Sequence, residues 1–493
     1  MCSRPLRGHD DFVQAQKIAE YTLMLEKTAE NKIIAGRQAA EVKKRKGHTM
    51  KKSGSYRLLT EELGVSPEIL DIVLEAEKSL SEQFRELDDI KEYNQYKVLD
   101  VFRKCRISDV HFGWNTGYGY DDAGREALEK VYAGVFHTED AIVRPLIVNG
   151  THALTLTLTG VLRPGDELVY CTGGPYDTLE EVIGIRGEGK GSLKEFGVTY
   201  RQVDLLPDGR IDIEGCKSVI NEHTKMMCVQ RATGYAWRKA IQVSEISEWA
   251  AAVKSVRSDI ITMADNCYGE FLDTTEPTDV GVDIMAGSLI KNPGGGLALS
   301  GGYIVGRHDL IENVAYRMTS PGIGKECGLT FGQSRSMFQG LFVAPSVVNG
   351  ALKGAMLCAR VFEMLGYAVC PASGDERSDI IEAVRLESPE AMEAFCRGIQ
   401  SAAPVDSFVT PVPWDMPGYD DQVIMAAGAF VQGSSIELSA DGPIRDPYIV
   451  YFQGGLTYEH SKYGVIKAVQ SLYDAGLLKG MTRNEKTGNK DIS

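Results

Sequence analysis

None of the ten cysteines forms a Cys-x-x-Cys pair, which argues against a zinc knuckle or a dithiol redox motif. Most sit inside apolar runs, as in Lys225-Met-Met-Cys-Val229, and read as small buried hydrophobes in a reducing, cytoplasmic compartment. Basic charge is also short. Lys and Arg number 53 against 68 Asp and Glu, for a formal net charge of −15. That balance speaks against a general nucleic-acid binder and against electrostatic docking on anionic lipid. No apolar run approaches the ~18 residues of a membrane span, so none is expected. The first residues lack the apolar core of a signal peptide. They carry Asp10, Asp11, Glu20, Glu26 and Glu30, which fits a transit peptide poorly.

Glycine is abundant instead, 52 of 493 residues, as in α/β enzymes whose loops approach ligands closely. A chain of 493 residues exceeds the ~250–300 that one core serves, which predicts two domains plus extensions. Residues 1–50 are polar and end in the basic stretch Val42-Lys-Lys-Arg-Lys-Gly-His48. They are expected to form a disordered or loosely helical extension, with Met50 an alternative start. Residues 51–130 read as a helical segment. Ser66-Pro67-Glu68 supplies a cap, a first-turn proline and an early acid, and Ile69, Ile72, Val73 and Ala76 recur at helical spacing.

Residues 131–335 read as a large α/β domain. Apolar strands are expected at 141–148, 166–171, 198–203, 225–230 and 260–264, alternating with amphipathic helices, and so a mostly parallel central sheet. In such sheets ligands sit beyond the carboxyl ends of the strands. A long helix over about 330–366 leads to a smaller C-terminal α+β domain, residues 336–493, with candidate strands at Phe408-Val-Thr, 422–426 and 448–452.

Four features fall at strand ends. Asn149-Gly150-Thr151-His152 is a glycine turn opening a helix, where free N–H groups favour a phosphate. Tyr176, in Gly173-Gly-Pro-Tyr-Asp177, places an aromatic ring where it can stack on a flat cofactor. Asp265 closes a buried strand, and a buried carboxylate needs a partner such as a protonated pyridine nitrogen. Lys291, in Ser288-Leu-Ile-Lys-Asn-Pro-Gly-Gly-Gly296, stands among apolar and small residues. Poor solvation there is expected to depress its pKa and make it a nucleophile, with the glycines letting backbone crowd around a cofactor. Taken singly, each feature also reads as ordinary structure; in this order they suit pyridoxal 5′-phosphate attached to Lys291.

The order and spacing resemble fold-type I pyridoxal-phosphate enzymes of cysteine and methionine metabolism. More closely, Arg106-Ile-Ser-Asp-Val-His-Phe-Gly113, Val148-Asn-Gly-Thr-His-Ala153, Ser288–Gly296 and Tyr448-Ile-Val-Tyr-Phe-Gln-Gly-Gly-Leu-Thr-Tyr458 resemble the aluminium resistance / methionine gamma-lyase family, over about residues 55–480. The resemblance implies a fold-type I α/β architecture and a Schiff-base lysine at Lys291. It implies a pyridine-nitrogen partner at Asp265, ring stacking by Tyr176, and phosphate contacts from Gly150, Thr151, His152 and Ser288. Ile290 stands where the branch often has threonine. A Tyr-x-Arg segment that crosses to the neighbouring subunit is reduced here to Tyr118-Gly-Tyr120, which leaves Arg125 and Arg317 as candidate phosphate cations. Arg445 is the candidate grip on a substrate carboxylate. A homodimer or homotetramer is implied.

The expected activity is elimination of a thiol from a small sulfur-containing amino acid by a carbon–sulfur lyase of methionine gamma-lyase or cystathionine lyase type. Lys291 is its base, and Tyr118 or Tyr176 its proton donor to sulfur. An aldolase, transaminase or γ-replacement reaction, or a pyridoxal-phosphate-binding protein without turnover, are the alternatives.

Overall fold

The structure, a computed structural model, describes residues 53–416 and 419–481. The expected extension over residues 1–50 lies outside them. Contacts divide the chain into two units, residues 1–65 and 66–493, each taken by itself. The described part of the first holds a short helix α1 (Gly54–Arg57), capped by Ser53, that runs into a π-helical turn, Leu58–Glu62.

The second unit opens with helices α2 (Pro67–Ser79), α3 (Ser81–Lys104) and α4 (Ala123–Val135). Ile69, Leu70, Val73 and Ala76 form the buried face of α2, as their spacing predicts. There follow β1 (Asp140–Arg144), α5 (Gly150–Val161), β2 (Glu167–Tyr170), α6 (Asp177–Ile183), β3 (Thr199–Gln202), α7 (Ile213–Ser218), β4 (Thr224–Gln230), α8 (Val243–Val256), β5 (Ile261–Asp265), β6 (Ile284–Ser288), β7 (Gly302–Gly306) and α9 (His308–Met318). Their strands make a seven-stranded sheet ordered β1-β7-β6-β5-β4-β2-β3. From β6 to β3 every pair is parallel, while β7 runs antiparallel to both β6 and β1.

Helices cover both faces of this sheet, so its strands are apolar on both sides. Val143, Val169, Val229, Ala264, Met285 and Val305 pack into one core with Trp249 of α8. Ile142, Leu168, Cys228, Met263, Ile284 and Ile304 pack into the other with Leu154 and Leu158 of α5.

Helix α10 (Ser334–Met364) is long and apolar enough to cross a membrane, but most of it is buried in the protein as a core helix. Along it lies α3, where Asp88 meets Asn349 at 3.0 Å and Lys353 at 2.7 Å. Beyond it come β8 (Ala368–Cys370), β9 (Ile381–Arg385), α11 (Pro389–Ala402), β10 (Val423–Ala427), β11 (Ser439–Pro443), β12 (Ile449–Gln453) and α12 (Tyr458–Asp474). The five strands form an antiparallel sheet ordered β10-β11-β12-β9-β8. Ile381, Ala383 and Tyr451 on one of its faces pack against Tyr235, Trp237 and Tyr268, so this sheet closes over the carboxyl ends of the first.

Two expectations are corrected. The strand expected over 141–148 stops at Arg144, because Pro145 brings no N–H to the ladder. Phe408-Val-Thr is no strand, and Phe408 is 84% exposed. The first sheet is mostly parallel, as expected, with β7 and β1 antiparallel at one edge.

Candidate active site

Strands β4, β5 and β6 end side by side at Gln230, Asp265 and Ser288, with Gln230 paired to Asp265 in register. Past these ends lies a cavity of about 200 Å³. Gly150, Thr151, Tyr176, Asp265, Ser288 and Lys291 all line it, joined by Gln230, Cys267, Tyr268, Ile290 and Gly433.

One end of the cavity suits a phosphate. Asn149 caps α5 by accepting the His152 N–H at 2.8 Å, which leaves the N–H groups of Gly150 and Thr151 without helical partners. A Cβ on Gly150 would lie 3.3 Å from both Cys267 Sγ and Ser288 Cβ, so glycine keeps this turn close to β6. Ser288 Oγ is buried with no hydrogen-bond partner, and Thr151 Oγ1 lies 2.7 Å from Thr178 Oγ1. The His152 ring turns away instead: its Nδ1 accepts the Val148 N–H at 3.1 Å, and it does not line the cavity.

The other end suits a pyridine ring. Asp265 is buried, and its Oδ1 accepts the Cys267 N–H at 3.0 Å. Burial holds this carboxyl above the usual range, with the Cys267 N–H and Lys291 pulling the other way, so a cation placed against it would be strongly favoured. The Tyr176 hydroxyl lies 3.0 Å from that of Tyr419, and its ring lies over Gly234, where a Cβ would come within 3.5 Å. The buried Gln230 Oε1 has no partner. Donors at one end, a carboxyl at the other, an aromatic wall and one lysine fit pyridoxal phosphate.

Lys291 follows β6 and precedes a short 3₁₀ turn, Asn292–Gly294. Its Nζ sits 3.9 Å from the Tyr268 ring centroid. Burial opposes its charge, but Tyr268, Cys267 and Asp265 outweigh burial and lift the ammonium above the ordinary lysine range. The expected depression is therefore reversed, because acidic neighbours share the pocket. The glycines after it also serve another purpose. A Cβ on Gly294 would lie 1.7 Å from Leu289 O, one on Gly295 2.4 Å from Gly340 O, and one on Gly296 2.4 Å from Leu456 Cδ2. They pack the lysine turn onto itself, α10 and Leu456, and none lines the cavity.

Other expected residues stand apart. Tyr118 is 73% exposed, its ring 5.5 Å from that of Tyr120. Arg125 is buried and donates to the carbonyls of Gly119, Gly328 and Glu326, while Arg317 lines a separate groove with Arg163. Arg445 is exposed at the end of a 3.1 Å ion pair with Asp421, outside the cavity lining. Gln230, Cys267, Tyr268 and Gly433 are site residues not anticipated. Gln230 ends a strand that was expected and was findable by the strand-end rule; Gly433 carries no local signal.

A parallel sheet with this site at its carboxyl edge, closed by a small antiparallel sheet, defines a fold-type I pyridoxal-phosphate enzyme. A family model for methionine gamma-lyase matches residues 69–473, and the chain belongs to that family. An uncharacterised protein of Bacillus subtilis strain 168, YnbB, is 52% identical over 406 residues, 82% of this chain and 96% of its own. The crystal structure of a carbon–sulfur lyase involved in aluminium resistance, from Clostridium novyi NT, matches with a TM-score of 0.82 and 51% identity, over 85% of this chain and 99% of that one. A pyridoxal-5′-phosphate-dependent protein of Escherichia coli, YhfS, shares the fold alone, at a TM-score of 0.54 and 16% identity over 79% of this chain and 97% of that one.

Proposed function

We propose that this enzyme is a carbon–sulfur lyase that eliminates a thiol from a small sulfur-containing amino acid such as methionine, cystathionine or a cysteine conjugate. The observation that carries the reading is the convergence of Lys291 and Asp265 on one buried cavity, with the Gly150 turn and Ser288 at its far end. Bound pyridoxal phosphate supplies an electron sink for the pair left when a bond to the substrate α-carbon breaks. Lys291 would hold the cofactor through its amine, and the free amine would take the α-proton of the substrate. Asp265 keeps a proton on the pyridine nitrogen. Tyr176 would stack on the ring, and it or Tyr118 would protonate the leaving sulfur. The test is product analysis: thiol, 2-oxoacid and ammonia support the reading, whereas glycine and an aldehyde, or only amino-group exchange, overturn it.

Ser288 brings a hydroxyl to the phosphate. Ser288→Ala is expected to weaken pyridoxal-phosphate affinity by about 10-fold or more, the range for a hydrogen bond to a charged group, as read by fluorescence titration. Arg445, exposed and paired to Asp421 just before β12, is the candidate grip on the substrate carboxylate. Arg445→Ala is expected to raise KM with cofactor absorbance intact, and an unchanged KM removes it from the site.

A homodimer fits the surface. Val110, Trp114, Tyr118 and Tyr120 are 58–73% exposed along one short segment, more apolar surface than solvent favours. In this reading a second copy covers the segment and receives Tyr118 in its site. Mixing inactive Tyr118→Ala and Lys291→Ala proteins should then restore about a quarter of wild-type activity, through hybrid dimers with one intact site. No recovery after subunit exchange would rule out a Tyr118 that serves the neighbouring subunit's site.

A further inference from the structure

Tyr268 lies in the same cavity and has no part in the scheme above. It follows the Asp265 strand by three residues, and its backbone is left-handed at φ +70°. For a bulky residue that conformation is strained, and it persists only where surrounding contacts hold it. Two contacts do. The hydroxyl lies 2.6 Å from Ser435 Oγ, in the loop that leads to β11 of the second sheet. The ring face meets Lys291 Nζ at 3.9 Å from its centroid. The strained turn thus aims one aromatic face at Lys291, the one lysine lining the cavity among the described residues.

The groups facing Lys291 are Asp265, Cys267 and Tyr268, with Glu270 and Asp441 within electrostatic reach. Burial lifts all of them: Cys267 well above the thiol range, Glu270 to about 8 and Asp441 to about 7. Burial raises the Tyr268 hydroxyl too, although Lys291 and Ser435 oppose it, so at neutral pH Tyr268 is a neutral phenol. What it offers an ammonium is the negative face of its ring, at a distance where cation–π attraction is strong and poorly screened.

We propose that Tyr268 is a positioning residue for Lys291, its ring face holding the ammonium that the lysine becomes after taking a proton from the substrate. In that step the α-C–H bond breaks, an N–H bond forms at Nζ, and the electron pair stays with the substrate. Stabilising the product ammonium favours the transfer, and the tie to Ser435 makes the second sheet part of the support. The inference rests on the reading of Lys291 as the base.

The test separates the ring from the hydroxyl. In full-length cofactor-free protein, acetylation of Lys291 by acetic anhydride is followed against pH by mass spectrometry, which reports where the amine becomes neutral. Tyr268→Leu is expected to lower that midpoint by about one pH unit, the scale of a desolvated cation–π contact. Tyr268→Phe keeps the face and should stay within about 0.3 of wild type. Should Tyr268→Leu fail to fold, Tyr268→Met makes the same comparison. An unmoved midpoint in the aliphatic variant, or an equal shift in Tyr268→Phe, overturns the proposal. Failure of wild-type protein to take up pyridoxal phosphate would instead overturn the functional reading, and the labelling would still report on the contact.

Discussion

Lys291→Ala protein is expected to bind pyridoxal phosphate weakly, to lack the visible absorbance of covalently attached cofactor, and to lose turnover by roughly 10⁴-fold or more, since both the attaching amine and the base are gone. The size of the effect follows from the geometry. Among the described residues Lys291 is the only lysine lining the cavity, and the turn that presents it cannot lend a neighbour. Asn292 and Pro293 are buried, and the Asn292 Nδ2 donates to the Glu270 carbonyl at 3.1 Å. Lys291→Arg sharpens the test. It keeps a cation near Tyr268 but offers no attaching amine, so it should be as inactive as alanine. Wild-type-like colour or turnover in either variant would sink the assignment.

Asp265→Asn is expected to do the reverse: to keep the colour and lose turnover, by about 10³-fold, because removing charge stabilisation aimed at a reacting centre costs on that order. In the proposed reading attachment depends on Lys291, the Gly150 turn and Ser288, none of which hydrogen-bonds the Asp265 side chain. The amide introduced by this substitution would keep the shape and one acceptor for the Cys267 N–H, yet it carries no charge to hold a proton on the pyridine nitrogen. Colour lost together with activity would mean that Asp265 shapes the pocket rather than tuning the ring. The two variants together divide attachment from electron withdrawal.

Much of this site was legible in the sequence because strand ends are local events. Gly150, Tyr176, Asp265, Ser288 and Lys291 each follow a short apolar run or a glycine turn, and the fold brings all five to one edge. What was not legible depends on partners distant in sequence. Gly433 reaches the cavity, and Ser435 the Tyr268 hydroxyl, because the second sheet closes over the first, and nothing near them says so. Lys291 is shifted up rather than down because burial, which lowers it, is outweighed by Tyr268, Cys267 and Asp265, which the fold rather than the adjacent sequence brings to it. Phe408-Val-Thr looks like a strand by composition, but no neighbouring strand pairs with it. The antiparallel β7 is hard to read because Gly302–Gly306 is framed by glycines, which weaken a strand signal.

That same β7 gives the site an assembly order. Because β6 and β7 are antiparallel neighbours, the segment between them that holds Lys291 is a hairpin connection, closed by contacts near in sequence. Asp265 must add through a parallel pairing, the Gly150 turn comes from far upstream in the chain, and Ser435 from a similar distance downstream. Loop-closure cost makes such long-range contacts slow. The lysine is therefore in place early, before there is anything for it to serve, and the cofactor meets a complete pocket only when both sheets have formed. Uptake of pyridoxal phosphate during refolding should then keep time with the last long-range closure, making the vitamin-derived ligand a clock for the end of folding and, by mass action on the native state, a stabiliser of what has folded.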